Sequence, residues 1–361
     1  MYELPEKLKQ LKAYEPNSGQ YNVHLDANES FLSLPKEIKQ QIAKAVQEIN
    51  YERYPDPSSK KVCEAFANFF ELDPSIVVAG NGSDELISII LANFASYGDT
   101  IVVTAPDFSM YEFYAKSSGL QVETFEKERE KFDVDALIHK VKEVEARIVI
   151  FSNPCNPSSL CMKKDEIKKI ASSLDCLVVV DEAYMEFSNE SIVEETKQFD
   201  NVIVLKTCSK AFGLAALRLG FAISNERLAN VLMTVKSPYN VNTVTQVVGE
   251  IVLSHTEYLK ECMIAIKKER DFLYEQIKAL EKQYSNKITV YESSTNFIFI
   301  DCNNEQEAHV LFMKMKENGI AIRLMGSHVR ICAGNRLENE EMLGIFKQWL
   351  IGGTVYEKLC D

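Results

Sequence analysis

Four polar segments of this 361-residue chain each follow a short run rich in Val and Ile, and their side chains are of types that can do chemistry. The runs are apolar without alternation, as is typical of strands buried on both faces of a sheet. Since ligands bind at the carboxyl ends of the strands in open α/β sheets, the four segments should share one edge. They are residues 80–84, 152–157, 181–184 and 206–210, the last of them followed by Arg218.

The chemistry available at this edge combines an anion cradle with ionisable side chains. The turn Gly80-Asn81-Gly82-Ser83-Asp84 opens a predicted helix, where backbone N–H groups and the helix dipole can hold a phosphate. Asp181 brings a carboxylate, Asn156 an amide and Lys210 an amine. Each feature alone is more often a plain turn, a helix cap or a solvated side chain. Their convergence at one edge favours a binding and catalytic site.

The elements that must position these residues form two regions. In the first, strand-like runs alternate with helix-like segments, which predicts an α/β large domain over residues 50–245 with a mostly parallel central sheet. We expect its strands at residues 76–79, 100–103, 148–151, 177–180, 202–205 and 220–223. Its helices are expected at residues 84–95, 110–118, 134–144 and 164–173.

The pattern changes after Asn240. Long helical stretches with charged faces fill residues 243–284, and alternating strands with two more helices follow them. This pattern predicts a smaller α+β domain over residues 246–361, and residues 1–49 should form an N-terminal arm that packs with it. The expected strands are 288–292, 296–300, 321–323 and 329–332, and the expected helices are 305–316 and 338–350.

The composition narrows the classes of partner. A net charge of −13 should repel nucleic acid and anionic membranes, so small anionic ligands must be held by a local cluster of donors. No apolar run reaches the ~20 residues that a membrane helix needs. The nine cysteines are odd in number and form no C-x-x-C pair, and the histidines lack metal-ligand spacing. We therefore expect no metal site, no disulfide framework and a location in the reducing cytoplasm.

Several motifs of the chain resemble those of a known family. Residues 209–220 resemble the Schiff-base lysine motif of class I and II aminotransferases, and residues 181–184 resemble their motif at the pyridine nitrogen. The finer match is to the histidinol-phosphate aminotransferases, and it rests on Tyr14-Glu15-Pro16, Leu25-Asp26-Ala27-Asn28-Glu29, Arg53-Tyr54-Pro55-Asp56-Pro57 and residues 80–85. The resemblance implies the fold type I of pyridoxal 5′-phosphate (PLP) enzymes, PLP as cofactor, and amino transfer from histidinol phosphate to 2-oxoglutarate in histidine biosynthesis.

The resemblance also implies a role for each residue at the cofactor ring. PLP acts as the electron sink, and the protein supplies orientation and electrostatics. Lys210 would form the Schiff base and then act as general base and acid. Asp181 would keep the pyridine nitrogen protonated, while Tyr184 and Asn156 would hydrogen-bond the ring 3-oxygen. Phe108 would stack on the ring, where the family usually has Tyr.

The same resemblance implies the remaining contacts. The cofactor-binding residues near the phosphate would be Gly82, Ser83, Asp84, Ser209 and Arg218. Tyr54 would reach the phosphate site of the neighbouring subunit, which implies a homodimer with shared active sites. Arg330 would bind the anionic end of each substrate, and the further candidates for substrate contacts are Arg323, Tyr14 and Asn28.

The chain departs from the family pattern at three places. The family's Asn-Asn-Pro-Thr-Gly loop is Cys155-Asn156-Pro157-Ser158-Ser159 here, which keeps the Asn before Pro but loses the Thr-Gly step. Ser30 stands where the family usually has Asn, and Ala216 stands where Gly is common. These departures bear more on the substrate than on the cofactor.

Other functions are compatible with part of this pattern. A threonine-phosphate decarboxylase would break the bond between Cα and the carboxylate, and the substrate's pose rather than the motifs decides which bond breaks. An aminotransferase for aromatic or other amino acids is a third possibility. A PLP-sensing regulatory domain is disfavoured, because the chain is acidic and has no basic helix-turn-helix segment.

Overall fold

The computed structural model describes residues 2–5, 7, 17, 19–127 and 132–352. The strands in these ranges are β1 (Val23–His24), β2 (Val77–Gly80), β3 (Thr100–Ala105), β4 (Gln121–Glu126), β5 (Ile148–Ser152), β6 (Leu177–Asp181), β7 (Val202–Thr207), β8 (Gly220–Ser224), β9 (Thr289–Val290), β10 (Phe297–Asp301), β11 (Ile320–Ala321), β12 (Arg323–Met325) and β13 (His328–Cys332). The helices are α1 (Lys36–Gln47), α2 (Lys60–Phe69), α3 (Ser83–Asn93), α4 (Met110–Ser118), α5 (Val134–Glu143), α6 (Lys164–Ser173), α7 (Glu226–Val235), α8 (Thr243–Ser254), α9 (Thr256–Gln283), α10 (Glu305–Glu317) and α11 (Arg336–Ile351).

The central sheet has seven strands in the order β2-β8-β7-β6-β5-β3-β4. The five strands from β7 to β4 are parallel to their neighbours. β8 runs antiparallel to both β2 and β7, so β2 points the same way as the other five. The mostly parallel sheet predicted from the sequence is confirmed. Because β2, β5, β6 and β7 all run in one direction, the polar segments that follow them meet at one edge.

Both faces of the central sheet are covered, and β6 shows why its sequence is apolar throughout. Successive side chains of a strand point to opposite faces. Val178 and Val180 pack into one hydrophobic cluster and Val179 into the other, and all three are fully buried. A polar residue anywhere in the middle of this strand would therefore lose its hydration.

β1, β4 and three helices lie outside the elements predicted from the sequence. β4 reads Gln-Val-Glu-Thr-Phe-Glu, alternates polar with apolar residues and forms one edge of the sheet with most side chains partly or fully exposed. It therefore lacks the continuous Val and Ile run of a strand that is buried on both faces. The helices are α1, α2 and α7.

A second sheet follows the long helix α9. It has four strands in the order β12-β13-β10-β9, and all three pairings are antiparallel. β1 pairs with β11, with Val23 opposite Ile320, so a segment near the N-terminus is hydrogen-bonded to the C-terminal region. The domain limits expected from the sequence remain a prediction.

The structure of the described residues also shows whether they contain metal-binding clusters, disulfides or membrane-spanning helices. Within them, no group of three or more His, Cys, Asp or Glu is arranged to hold a metal ion. The cysteines of these ranges are unbridged. None of the helices described above combines the length and the apolar character needed to cross a membrane.

Candidate active site

Asp181 is the last residue of β6, and its buried carboxylate marks the centre of the polar edge. Tyr111 Oη donates a hydrogen bond of 2.8 Å to Oδ2, and the backbone N–H of Ala183 donates one of 3.1 Å to Oδ1. Burial raises the pKa of Asp181 to about 7, because the charged form loses its hydration, and the two hydrogen bonds only partly offset this effect. This carboxylate is therefore poised to pair with a cationic ring.

Lys210 and Tyr184 lie next to one another at the same edge. Lys210 Nζ is 5.9 Å from the centre of the Tyr184 ring and donates a 2.9 Å hydrogen bond to the carbonyl oxygen of Ala27. Tyr184 Oη accepts a 2.8 Å hydrogen bond from Asn28 Nδ2. Asn28 Oδ1 is buried and has no hydrogen-bond donor among the described residues. The segment around Asn28 thus borders the predicted reactive lysine.

The predicted phosphate site lies where β2 and β8 meet the start of α3. Gly80 lies opposite Gly220 in the sheet, and α3 begins at Ser83. A Cβ on Gly220 would come within 2.4 Å of Ser83 N, and a Cβ on Gly82 within 2.8 Å of Arg218 Nη2. The glycines therefore let the start of α3 pack directly against β8 and beside Arg218, and the backbone N–H groups of a helix start can bind an anion.

Arg218 closes the other side of this cradle. Its Nη1 donates to Ser209 Oγ at 3.3 Å, and its Nη2 lies 3.2 Å from Asp84 Oδ2. Ser209 is held in turn, because its N–H donates to Thr207 Oγ1 at 3.2 Å. The Asp84 carboxylate is thus an ion-pair partner of Arg218 rather than a donor to the phosphate. Five predicted phosphate residues are brought together here.

Asn156 and Arg330 connect the two sheets at this edge. Arg330 Nη1 donates to Asn156 Oδ1, and Nη2 donates to the carbonyl oxygen of Asp26 at 2.7 Å. The Arg330 guanidinium lies 5.3 Å from the centre of the Phe297 ring, and the side chain is mostly buried. The predicted ring-oxygen residue and the predicted substrate arginine are therefore in direct contact.

The other predicted substrate residues differ in their positions. Arg323 on β12 lies directly opposite Arg330 on β13, so the two side chains leave the same face of the second sheet. Guanidinium groups at facing positions can both bind one anion. Tyr14, with the motif around it, lies outside the described residues.

Phe108 and Tyr54 are the two predicted aromatic contacts. The Phe108 ring packs edge-on against Tyr111, with 5.5 Å between ring centres, next to the tyrosine that holds Asp181. Tyr54 is 81 % exposed and stacks on Tyr239 at 4.6 Å. The structure therefore brings Phe108, but not Tyr54, into the site within one chain.

Comparison with known proteins assigns the family. The model of aminotransferase class I and II matches residues 21–346. The chain belongs to this family. It is 39 % identical to a histidinol-phosphate aminotransferase of Clostridium novyi, over 94 % of this chain and 95 % of that protein. It is 38 % identical to a histidinol-phosphate aminotransferase of Clostridium kluyveri, over 94 % and 96 % of the two chains.

A solved structure of this aminotransferase family confirms the fold class. The crystal structure of histidinol-phosphate aminotransferase from Sinorhizobium meliloti in complex with pyridoxal-5′-phosphate has a TM-score of 0.87 to this chain and covers 98 % of both chains. Its sequence identity is 22 %, so the likeness is one of fold. Fold type I, predicted from the motifs, is the fold of this chain.

The geometry of this aminotransferase site suits PLP at three points. Lys210 offers an amine for the cofactor's aldehyde carbon. The buried carboxylate of Asp181 offers a partner for a protonated ring nitrogen. At the cradle, only residues without a Cβ fit at Gly82 and Gly220, and Arg218 adds a positive charge there in a chain of net negative charge. The donor set therefore matches the amine, ring and phosphate ends of PLP.

Gly220→Ala is expected to weaken both folding and PLP binding. The new Cβ would overlap backbone atoms of Gly82 and Ser83 and push the start of α3 away from β8. Overpacking of this kind costs about 1–3 kcal/mol of unfolding free energy. Thermal unfolding without cofactor and the Kd for PLP would measure the two effects. Gly344→Ala is the control, because a Cβ there meets nothing within 4 Å. Wild-type stability and PLP affinity in Gly220→Ala would contradict the cradle.

The departures from the aminotransferase pattern each have a defined place in the structure. Ser159, at the position of the family's Gly, has φ of 62°, the left-handed conformation that Gly adopts most easily. Ser30 Oγ accepts a 3.2 Å hydrogen bond from the N–H of Leu32. Ala216 lies in a short 3₁₀ turn, after which Arg218 has φ of 51°.

Two charged residues that the sequence motifs did not identify lie beneath this site. Asp107 accepts hydrogen bonds from Thr104 Oγ1 at 2.6 Å and Lys127 Nζ at 2.8 Å, and both charged side chains are almost fully buried. Burial acts to lower the pKa of Lys127, but the Asp107 carboxylate and Cys155 together outweigh this effect and the pKa is raised. Asp107 also holds Ser152, whose Oγ accepts from the N–H of Asn156 at 3.1 Å. Lys127 follows β4, which the sequence did not predict, so its position next to Asp107 could not be inferred.

Proposed function

We propose that this chain transfers the amino group of histidinol phosphate to 2-oxoglutarate, with PLP as cofactor. The products are imidazole-acetol phosphate and glutamate, and the reaction belongs to histidine biosynthesis. The observation that carries the proposal is one edge of a parallel sheet at which Lys210, the buried Asp181 and the Arg218 cradle lie beside Arg330. Near-full-length similarity to histidinol-phosphate aminotransferases supports the same substrate.

PLP, when bound, supplies a carbon that takes up the amino group and a ring that accepts the electron pair left at the substrate Cα. Lys210 is the group that removes the Cα proton and returns a proton to the neighbouring carbon. Its Nζ is held at 2.9 Å by the carbonyl of Ala27, a contact that directs the amine without neutralising it. In the second half of the cycle, Lys210 moves the proton in the opposite direction with 2-oxoglutarate as acceptor.

Asp181, Tyr184 and Asn156 set the electrostatics around the ring. Asp181 balances a positive ring nitrogen, which favours removal of the Cα proton. Tyr184 Oη has Asn28 as donor, so its own proton is available to an oxygen acceptor. Asn156 Nδ2 remains as a donor, because its Oδ1 is taken by Arg330.

Arg330 and Arg323 form the anion site for the two substrates in turn. Both guanidinium groups arise from facing positions on β13 and β12, and Arg330 is fixed by Asn156 and Asp26. A guanidinium binds either a phosphate or a carboxylate through paired N–H groups. One site can therefore take the phosphate of histidinol phosphate and then a carboxylate of 2-oxoglutarate. Asn28 and Tyr14 are proposed as further substrate contacts.

The assembly is proposed to be a homodimer in the cytoplasm. Tyr54 and Tyr239 form an exposed stacked pair, as expected for a surface that a second copy covers. Tyr54 would then complete the phosphate site of the neighbouring subunit. The unbridged cysteines of the described ranges support a reducing compartment.

A single half-reaction tests the proposed function. Purified protein loaded with PLP is mixed with L-histidinol phosphate in the absence of any 2-oxo acid. We expect one equivalent of imidazole-acetol phosphate per active site and conversion of the cofactor to pyridoxamine phosphate. Addition of 2-oxoglutarate should then restore the starting cofactor spectrum and release glutamate.

A parallel reaction with threonine phosphate distinguishes the decarboxylase. The aminotransferase releases no carbon dioxide from this compound. Release of carbon dioxide, together with an unchanged cofactor spectrum in histidinol phosphate, would refute amino transfer and assign the lyase reaction. If an aromatic amino acid converts the cofactor to pyridoxamine phosphate and histidinol phosphate does not, amino transfer stands and only the proposed substrate is refuted.

A further inference from the structure

A cluster of three hydroxyl side chains, Ser159, Ser293 and Thr295, joins the loop that carries Asn156 to the segment that leads into β10. Ser159 Oγ accepts a 2.7 Å hydrogen bond from the N–H of Ser294 and lies 2.9 Å from Thr295 Oγ1. Ser159 is 2 % exposed. We call this cluster of three hydroxyl side chains the hydroxyl latch. Its hydrogen bonds join segments more than 130 positions apart in the chain.

The loop side of the latch holds Ser159 in an unfavourable conformation. Its φ of 62° is rare for residues with a Cβ, and glycine would adopt it at lower cost. The turn is closed by a 2.8 Å hydrogen bond from the Ser159 N–H to the carbonyl of Cys155. A serine at a position where glycine would fit at lower cost is expected to contribute through its hydroxyl, because its backbone preference argues against it.

The far side of the latch supports the residues that surround the reactive centre. Ser293 Oγ donates to the carbonyl of Phe297 at 2.6 Å, and Arg270 Nη1 donates to the carbonyls of Ser293 and Thr295 at 2.8 Å each. The Phe297 ring packs edge-on against Tyr184 at 5.4 Å and lies under the Arg330 guanidinium.

Asn296, within the same segment, extends this support to the N-terminal side of the site. Its Nδ2 donates a 3.0 Å hydrogen bond to the carbonyl of Asn28, the residue that donates to Tyr184 Oη. Residues 293–297 therefore contact the side chains of Tyr184 and Arg330 and the main chain of Asn28, three residues assigned to cofactor or substrate. A shift of this segment would move Tyr184 and Arg330 together.

We propose that Ser159 is a positioning residue: its hydroxyl fixes residues 293–297 against the Asn156 loop and so holds Phe297 under Arg330 in the geometry that binds the substrate anion. The consequence for substrate binding rests on the proposed function. Without the hydroxyl, the N–H of Ser294 and the Thr295 hydroxyl lose a buried partner, and the segment samples other positions. The apparent affinity for the anion falls by the fraction of time that the segment is out of place.

The test compares Ser159→Ala and Ser159→Gly with wild type. Both variants lack the hydroxyl, but glycine also relieves the unfavourable φ. Ser158→Ala is the matched control, since it removes the neighbouring hydroxyl, whose one hydrogen bond among the described residues comes from the local N–H of Leu160. Amide hydrogen exchange of residues 293–297 reports the latch without any reaction, and steady-state kinetics with histidinol phosphate report KM and kcat separately. Thermal unfolding shows whether each variant is folded.

We expect faster exchange at residues 293–297 in both Ser159 variants, and a KM for histidinol phosphate raised about tenfold with kcat changed much less. Ser159→Gly should unfold at or above the temperature of Ser159→Ala, although its KM is also raised. Wild-type exchange in both variants overturns the latch, and faster exchange with wild-type KM overturns the positioning role. If wild type performs no amino transfer, the proposed function fails and exchange alone decides the latch.

Discussion

Lys210→Ala is expected to abolish covalent attachment of PLP and to reduce amino transfer by about 10⁴-fold, the upper range for loss of a general acid–base group. Lys210 Nζ is the amine beside Tyr184 at the polar edge, and Ala27 is its hydrogen-bond acceptor. Alanine removes the amine but keeps the backbone. Borohydride reduction followed by peptide mass spectrometry would detect the loss of the cofactor adduct at this position, and single-turnover kinetics would measure the rate.

The folded structure should survive this substitution. The lysine makes one hydrogen bond to a backbone carbonyl, and no ion pair at Lys210 is present among the described residues. PLP should still bind without a covalent bond, since Arg218 and the helix start are proposed to hold the phosphate. Lys116→Ala, at a half-exposed position on α4, is the control that should leave attachment and rate unchanged. A borohydride-fixed cofactor adduct on another lysine of Lys210→Ala would overturn the assignment. Amino transfer by this variant at the wild-type rate would also overturn it.

Asp181→Asn is expected to have opposite effects on activity and on the stability of the cofactor-free protein. The amide cannot balance a positive ring nitrogen, so kcat should fall by about 10²–10³-fold, as for loss of other preorganised charges. Without cofactor the carboxylate is a buried charge with a pKa of about 7, well above the ordinary value of 3.8. Asparagine carries no such charge, so the variant should be more stable than wild type at pH 8.

The direction of this pH dependence is set by proton binding. Because the pKa of Asp181 is raised in the folded state, the folded protein holds a proton there that the unfolded chain releases above about pH 4. Its contribution to stability is complete below pH 4 and is lost as the pH rises through about 7, by an amount on the order of 4 kcal/mol. The free energy of unfolding of Asp181→Asn should not show this decrease with rising pH.

Denaturant unfolding of cofactor-free protein between pH 4.5 and 8 would measure both curves. Asp175→Asn is the control, since this carboxylate is exposed on the connection before β6. Equal slopes for wild type and Asp181→Asn would show that the carboxylate is not a buried charge in the folded protein. Full kcat in Asp181→Asn would remove it from the ring site.

The sequence predicts the positions of the candidate site residues well where they come directly after a buried strand. Asp181, Asn156 and Lys210 could be assigned to one edge because β5, β6 and β7 have continuous apolar sequences and therefore had to be parallel and buried. Gly82 and Gly220 belong to the same edge, but only Gly82 lies in a turn motif. Gly220 is in the cradle because β8 enters the sheet antiparallel, which no local pattern indicates.

Contacts between distant segments are the part that local patterns could not predict. Lys127 meets Asp107 only because β4 lies at the sheet edge, and β4 alternates like a half-exposed strand. Ser159 meets Ser294 across the two sheets, and neither residue has a distinctive sequence signal. In both cases tertiary packing brings the partners together, whereas a sequence motif describes only a short local segment.

The position of β8 has a consequence for the order in which the chain can assemble during synthesis. β2 lies at the end of the sheet and its sheet neighbour is β8, so residues 77–80 have no strand partner until residue 224 has left the ribosome. At about 5–20 residues per second, that delay lasts roughly 7–30 seconds. The nascent chain therefore carries an unpaired apolar strand for this time, a known hazard for aggregation. The proposed anion cradle, which needs Gly220 beside Ser83, can form only after β8 is inserted.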